Sequence, residues 1–261
     1  MIRSLWTAAS GMTAQKINMD VIANNLANVN TSGFKKSRAD FEDLLYQTLK
    51  SPGADTSSGG QIPTGIQIGM GTRYSSVQKI FSQGDFSQTG NQMDLAIAGN
   101  GFFKIVNSNG DEVYTRAGSF KIDSEGYIVT SQGDRLQPEV SIPTNSVSFT
   151  IDDSGALEAF DENGDTTTTA QLTLTNFINP SGMKSLGGNY YSPSESSGDP
   201  IEGNPGVDGI GTIIQGSLEM SNVDVVEEMV NMIASQRAYE ISSKSIKSAD
   251  EMMQMANNIK R

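Results

Sequence analysis

Apolar residues recur every seven positions near both ends of the 261-residue chain, and this repeat limits the possible folds more than any other feature. Two series three residues apart lie near the N-terminus, interrupted only by Gln15: Leu5, Met12, Met19 and Leu26, and Ala8, Gln15, Ile22 and Val29. Near the C-terminus one apolar series is followed, three residues on, by a series of small residues: Leu218, Val225, Met232, Tyr239, Ile246 and Met253, and Ser235, Ser242, Ala249 and Ala256. This spacing is typical of helices that pack along a narrow seam. We predict two terminal helices, the second running from about 221 to 258 over roughly 60 Å.

A single amphipathic helix of this kind usually packs on a globular core. Here both ends of one chain carry heptads, which favours a coiled coil of the two terminal helices with each other and with other copies. A helical hairpin with one narrow seam has little else to bury against. We therefore expect the terminal helices to be poorly ordered in the monomer and ordered in an assembly. Trp6 is predicted to anchor an interface, because large rigid aromatics contribute strongly there.

Four asparagines fall in the run ANNLANVNTSG, where the first helix is predicted to end: Asn24, Asn25, Asn28 and Asn30. Asparagine weakens helix interiors because its amide competes with the backbone for hydrogen bonds. Ordinary capping accounts for only part of this run. We predict that the amides cap helix ends and pair across copies, fixing the register as a buried asparagine does in coiled coils. Replacing Asn25 and Asn28 by alanine is then expected to leave the monomer folded and to disrupt the polymer.

The residues predicted to mediate self-assembly come from the two seams and the asparagine run: Leu5, Trp6, Met12, Met19, Ile22, Asn24, Asn25, Leu26, Asn28, Val225, Met232, Tyr239, Ile246 and Met253.

From about 72 to 180 the pattern changes to short alternating runs such as GFFKIV and ALEAF, separated by turn pairs such as Asn109-Gly110. This pattern predicts an antiparallel β domain. The fold class is therefore α+β. The predicted divisions are an N-terminal helix and signature over 1–45, an extended arm over 46–71, the β domain over 72–180, a return arm over 181–216 and the C-terminal helix over 217–261.

The composition excludes most catalytic and metal-binding chemistry. The chain has no cysteine and no histidine, which removes thiol nucleophiles, the usual zinc ligands and the usual general base. Asp161, Asn163 and Asp165 alternate as in a calcium loop, but Thr166 occupies the position of the required glycine, and a hairpin turn is the better interpretation. We predict no catalytic residue, no metal, no cofactor and no enzymatic activity.

The charge distribution limits the possible partners. The net charge is −12, and residues 51–216 account for all of it with seven Lys and Arg against nineteen Asp and Glu. Nucleic acid and anionic membranes need basic patches, so neither is predicted as a partner of this region. No apolar run reaches the length of a membrane span, and polar residues interrupt the N-terminal stretch. We predict neither membrane insertion nor a cleaved signal peptide.

Four stretches of the sequence resemble one family. NMDVIANNLANVNTSGFKK, from Asn18, and SNVDVVEEMVNMIASQRAYEISSKSI, from Ser221, resemble the terminal signatures of the flagellar rod and hook family. Between them, DLAIAGNGFFKI and YTRAGSFKIDSEGYIVTSQGDRLQP are similar to its central β motif. Within the family, the opening MIRSLWTAASGM and the run FEDLLYQTLKSPGA resemble the distal rod branch.

The resemblance implies a structural subunit that forms a straight helical tube and transmits torque from motor to hook. It implies paired terminal helices inside, a β domain outside, and an arm over 46–70 that keeps the rod straight. The implied partners are further copies, proximal rod and hook subunits, periplasmic and outer-membrane ring proteins, and the flagellar type III export apparatus. The implied location is the basal body, in a rod that spans the periplasm.

Two alternatives remain open from the sequence. One is a sister rod or hook subunit, which differs in filament curvature. The other is a secreted glycan-binding or hydrolytic β protein, which would need a cleft with paired acids.

Overall fold

The computed structural model describes residues 2–53, 64–143, 146, 148–161 and 166–259. It divides into two compact units, each built from separated parts of the chain. We call the first the helical unit, which comprises Met1–Leu26, Ser37–Gln78 and Val225–Arg261. The second, the β unit, comprises Ala27–Lys36 and Lys79–Asp224. The chain therefore passes between the units four times.

The helical unit contains two long helices, α1 (Ile2–Ala27) and α2 (Val225–Ile259). Glu227 and Glu228 lie in the first turn of α2, where negative charge stabilises the N-terminal end of a helix. At 35 residues α2 is about 50 Å long. It begins four residues later than the sequence predicts. Four strands accompany the helices: β1 (Ser37–Asp43), β2 (Tyr46–Lys50), β3 (Ile66–Gly69) and β4 (Thr72–Lys79).

The β unit contains sixteen strands among its described residues: β5 (Phe86–Gln88), β6 (Leu95–Ala98), β7 (Phe103–Val106), β8 (Glu112–Thr115), β9 (Lys121–Ile122), β10 (Ile128–Val129), β11 (Arg135–Gln137), β12 (Ser148–Ile151), β13 (Ala156–Phe160), β14 (Thr166–Gln171), β15 (Leu174–Asn176), β16 (Lys184–Gly187), β17 (Tyr190–Ser192), β18 (Ile201–Gly203), β19 (Thr212–Gln215) and β20 (Ser217–Glu219). A short 3₁₀ helix, Pro180–Gly182, precedes β16.

The strands of the β unit pair antiparallel throughout the described part. Seven of them form one sheet in the order β16-β17-β8-β7-β11-β10-β9, and β12-β13-β14 form a second. Their inward side chains make a single apolar core in which Leu95, Ile105, Leu157, Leu174 and Ile213 are fully buried. A separate aromatic cluster packs Phe102 edge-on against Phe177 and Tyr191, with ring centroids 5.8 and 6.0 Å apart.

The predicted α+β class is confirmed, because a central antiparallel β region lies between two terminal helices. The predicted return arm over 181–216 differs from the structure, since these residues contribute four strands to the β unit. Those strands are only three or four residues long, and three of the four contain glycine or serine, so they have no visible alternation. The calcium-like turn at 162–165 and most of the tip of the predicted arm, 54–63, lie outside the described residues.

The segment between α1 and β1 is held in the β unit by a close backbone contact at Gly33. The Gly33 amide donates to the Glu219 carbonyl oxygen at 2.8 Å. Gly33 has a φ of 70°, and a Cβ there would lie 2.6 Å from the Ala117 nitrogen. Only glycine fits this position, because any side chain would both strain the backbone and clash with residue 117. This explains the glycine of the TSGFKK run.

Candidate assembly surfaces

The facing surfaces of α1 and α2 contact each other at intervals of seven residues. Asn18 Nδ2 donates to Ser235 Oγ at 2.8 Å, and Asn25 Nδ2 donates to Glu228 Oε2 at 3.2 Å. At a third level, a Cβ built on Gly11 would lie 3.6 Å from Ser242 Oγ. Each step of seven residues up one helix matches seven down the other, so the two helices run antiparallel. Small and polar residues at these levels allow a close approach.

The predicted seam residues of α1 differ in their exposure. Ile22 is buried, whereas Leu5, Met12, Met19 and Leu26 are half-buried. Trp6 is 70% exposed within the chain. The predicted seam residues of α2 divide in the same way, with Met232, Ile246 and Met253 half-buried and Val225 and Tyr239 about 40% exposed.

Asn25 has a role inside the chain. It is 1% exposed, and its amide both donates to the Ser37 carbonyl oxygen at 2.8 Å and accepts from the Ser37 N–H at 2.9 Å. With the bond to Glu228, this amide joins the end of α1 to β1 and to the first turn of α2. Asn25 therefore has partners within its own chain, and its pairing across copies stays a prediction.

The other asparagines of the run lie nearer the surface. Asn24 is exposed, and Asn28 is half-buried in the turn that follows α1. There Asn28 Oδ1 accepts from Thr31 Oγ1 at 3.2 Å, and the Asn28 carbonyl accepts from the Thr31 N–H at 3.1 Å. This turn ends α1.

The outer face of α2 is an apolar surface that the sequence-based prediction missed. Between residues 226 and 241, four large apolar side chains on this face are more than half exposed, and we call them the outer stripe: Val226, Val230, Ile233 and Ile241. Their spacing of four, three and eight residues places them opposite Glu228, Ser235 and Ala249, which are buried. The fully buried residues of α2 are thus small or polar, and several of its large apolar residues lie on the outer face. A second i, i+4, i+7 series was present in the sequence and could have revealed this face.

The hairpin formed by β2 and β3 adds to the exposed apolar surface of the helical unit. Leu45, just before β2, is 86% exposed, and Tyr46, Leu49, Ile66 and Ile68 are also exposed. The hairpin lies within the predicted arm over 46–71. Its Gln47 side chain accepts a hydrogen bond from Arg3 in α1.

The β unit contains a buried ionic triad that the sequence-based prediction also missed. Lys35 Nζ lies 2.6 Å from Glu219 Oε1, and Arg116 Nη1 lies 3.2 Å from Glu219 Oε2. All three side chains are at most 3% exposed. Burial lowers the pKa of Lys35 and of Arg116, and the neighbouring Glu219 opposes that shift. Each residue lies in or beside a family motif, but distance in sequence hides their contact.

The described residues contain no group of three or more acidic side chains placed to hold a metal ion. No helix in the described part of the chain is both long and apolar enough to cross a membrane.

Comparison with known proteins identifies the class that these surfaces and motifs define. Three family descriptions match: "Flagella basal body rod protein" over residues 5–35, "Flagellar hook protein FlgE/F/G D1 domain" over 96–159, and "Flagellar basal body rod FlgEFG protein C-terminal" over 214–259. They cover the two terminal helices and the first part of the β unit.

Full-length relatives support the same class. The chain is 48% identical to the flagellar basal-body rod protein FlgG of Borreliella burgdorferi over 264 residues, which is 100% of both chains. It is 48% identical to the FlgG of Buchnera aphidicola subsp. Schizaphis graminum, covering 99% of this chain and 100% of the relative. The FlgG of Bacillus subtilis is 39% identical with both chains fully covered. The chain therefore belongs to the flagellar basal-body rod protein family.

Proposed function

We infer that this chain is a structural subunit of the bacterial flagellar rod. We propose further that it acts in the distal rod, where copies assemble into a straight helical tube that carries torque from motor to hook. The role is mechanical and not enzymatic. The proposed partners are other copies, proximal rod and hook subunits, the periplasmic and outer-membrane ring proteins, and the type III export apparatus.

One observation carries the assembly proposal: large apolar side chains are exposed mainly on the helical unit. Of the 25 large apolar residues exposed in the described chain, only six lie in the β unit: Phe86, Ile122, Ile178, Leu186, Ile201 and Val207. A soluble monomer rarely exposes so much apolar surface in one unit. Burying that surface against identical neighbours would stabilise a polymer.

The contacts between α1 and α2 support a coiled coil as the inner part of this polymer. Their seven-residue recurrence matches a heptad seam, and the outer stripe then provides a second face of α2 for neighbouring copies. We propose that the exposed hairpin of β2 and β3 adds a further contact that keeps the tube straight. A hook subunit, the nearest alternative, would form curved tubes.

The outer stripe gives the sharpest test. Val230→Ser with Ile233→Ser removes two apolar side chains, each of which contributes about 1.5–3 kcal/mol when fully buried. The critical concentration for polymerisation should then rise on the order of 100-fold or more. Electron microscopy and sedimentation measure it, beside limited proteolysis of the dilute protein. The expected result is straight tubes from the parent protein at concentrations where the variant stays soluble.

A matched control replaces two exposed apolar residues of the β unit, Ile178→Ser with Ile201→Ser. This control should polymerise like the parent protein. Equal effects of the two double variants would contradict an interface on α2, and curved parent tubes would favour the hook alternative.

A further inference from the structure

Three of the four chain crossings between the units converge on one small region of the β unit. The crossings follow Lys36, precede Lys79 and follow Asp224. The residues that bind these chain segments to one another form the junction cluster: Lys35, Lys36, Ile80, Ser82, Glu219 and Asn222. All six belong to the β unit.

Asn222 connects all three segments through its side-chain amide. Its Oδ1 accepts from the Lys36 N–H at 2.7 Å. Its Nδ2 donates to the Ile80 carbonyl at 2.8 Å and to Ser82 Oγ at 2.9 Å. The Ile80 N–H in turn donates to the Lys36 carbonyl at 2.9 Å. The Asn222 amide thus joins its own segment to two others that lie more than 140 residues earlier in the chain.

The Lys35–Glu219 pair joins the same three segments as Asn222. Its residues lie slightly further along the chain from the points where the chain passes between the units. Lys35 Nζ donates to the Ser82 carbonyl at 2.7 Å as well as to Glu219. Glu219 Oε1 also accepts from the Gly84 N–H at 3.0 Å. Breaking a buried ion pair leaves an uncompensated charge, so this contact strongly resists separation of the segments.

We propose that the junction cluster is a positioning device that fixes the points at which the chain enters and leaves the β unit. In a polymer, the covalent crossings are one route by which force passes between the units of each copy. Crossings held by hydrogen bonds and a buried ion pair bend less than free linkers do. Asn222 and the Lys35–Glu219 pair therefore act as positioning residues for the stiffness of the tube. This proposal rests on the proposed function, since it needs a polymer that carries torque.

Asn222→Ala is the best test, because Asn222 is only half-buried and its loss leaves no buried charge unpaired. Asn109→Ala is the matched control, since Asn109 is exposed at a turn of the same unit. Hydrogen exchange in the dilute protein should show the amides of Lys36 and Ile80 exchanging roughly fivefold or more faster in Asn222→Ala. Electron microscopy of the polymers should show a shorter persistence length, while Asn109→Ala matches the parent protein in both measurements.

A conservative variant separates positioning from general destabilisation. Asn222→Asp keeps an acceptor for the Lys36 N–H but places a carboxylate oxygen against the Ile80 and Ser82 carbonyl oxygens, where the amide donated. Exchange should therefore stay slow at Lys36 and become faster at Ile80, and the polymer should be less stiff than that of the parent protein. This variant also serves if Asn222→Ala does not fold.

The outcomes distinguish the two proposals. Faster exchange at Lys36 and Ile80 with an unchanged persistence length would overturn the positioning role and leave the rod function intact. A parent protein that forms no polymers would overturn the rod function, and the positioning role with it.

Discussion

The β unit contains 28 of the buried apolar residues described in this chain, whereas the helical unit contains four: Ala14, Ile22, Ala39 and Ala249. The large apolar residues of the helical unit are mostly at its surface. The β unit thus has a core of its own, and the helical unit has the composition of one side of an interface. The difference indicates that the two units of one chain differ in how much apolar surface they bury by themselves. The β unit buries its own core within a single copy, and the proposed polymer would bury the exposed apolar surface of the helical unit.

The largest expected effect comes from the core of the β unit. Leu157→Ala removes a fully buried side chain and should lower the free energy of unfolding by about 2–5 kcal/mol. Urea unfolding of the dilute protein, followed by circular dichroism, measures this loss. Leu45→Ala, at an 86% exposed site of the helical unit, should change the dilute protein by no more than about 0.5 kcal/mol. Equal losses would remove the distinction between the units.

The next effect tests whether residues 27–36 belong to the β unit. Gly33→Ala places a Cβ 2.6 Å from the Ala117 nitrogen at a φ of 70°, and should destabilise the β unit by roughly 2 kcal/mol or more. Gly110→Ala is a matched control at a φ of 86°, with nothing within 4 Å of the added Cβ. It carries the backbone strain without the clash. Urea unfolding of both variants separates the two contributions, and identical losses would show that the contact with residue 117 is unimportant.

A smaller effect tests the internal role of Asn25. Asn25→Ala leaves the Ser37 backbone groups and the Glu228 carboxylate without a buried partner, and should cost about 1–3 kcal/mol. Hydrogen exchange along α1 and the start of α2 would report the loss in the dilute protein. Asn24→Ala, at the exposed neighbouring position, is the control. An unaffected Asn25→Ala monomer that cannot polymerise would contradict the internal role and support the predicted contact across copies.

The smallest expected effect is a gain in the stability of helix α1. Gly11 lies inside α1, and an added methyl group would make an ordinary contact with Ser242 Oγ at 3.6 Å. Gly11→Ala should therefore stabilise α1 by up to about 1 kcal/mol, because alanine is the better helix former. Thermal unfolding followed at the helical signal measures the gain. A loss of stability would mean that the helices already pack too tightly for one more methyl group.

Features with a local period were predictable from the sequence. The heptads placed both helices, and alternation with turn pairs placed strands such as β12 and β13 almost to the residue. The start of α2 was placed too early because Asn222 uses its side chain to join other segments, and the helix follows it. Strands β16–β19 were missed because runs such as KSLG and IEG carry too little alternation to detect.

Features that depend on distant partners were not predictable. Lys35 and Glu219 are 184 residues apart, and each alone has the appearance of a surface charge. The internal role of Asn25 depends on Ser37 and Glu228, which no periodicity connects to it. The outer stripe is a different case, because its spacing is visible in the sequence. It was missed because the heptad series of α2 predicts only one packing face for that helix.

The helical unit is divided among three stretches of chain, and this division sets the order in which its contacts can form. Every segment of the β unit precedes Val225, so this unit can fold before α2 has been synthesised. The contacts of Asn18 and Asn25 with α2 must wait for the last 37 residues. The helical unit can therefore be completed only after the β unit, although two of its three segments come earlier in the chain. In the proposed polymer, the outer stripe on α2 would become available to neighbouring copies only when almost the whole chain is present.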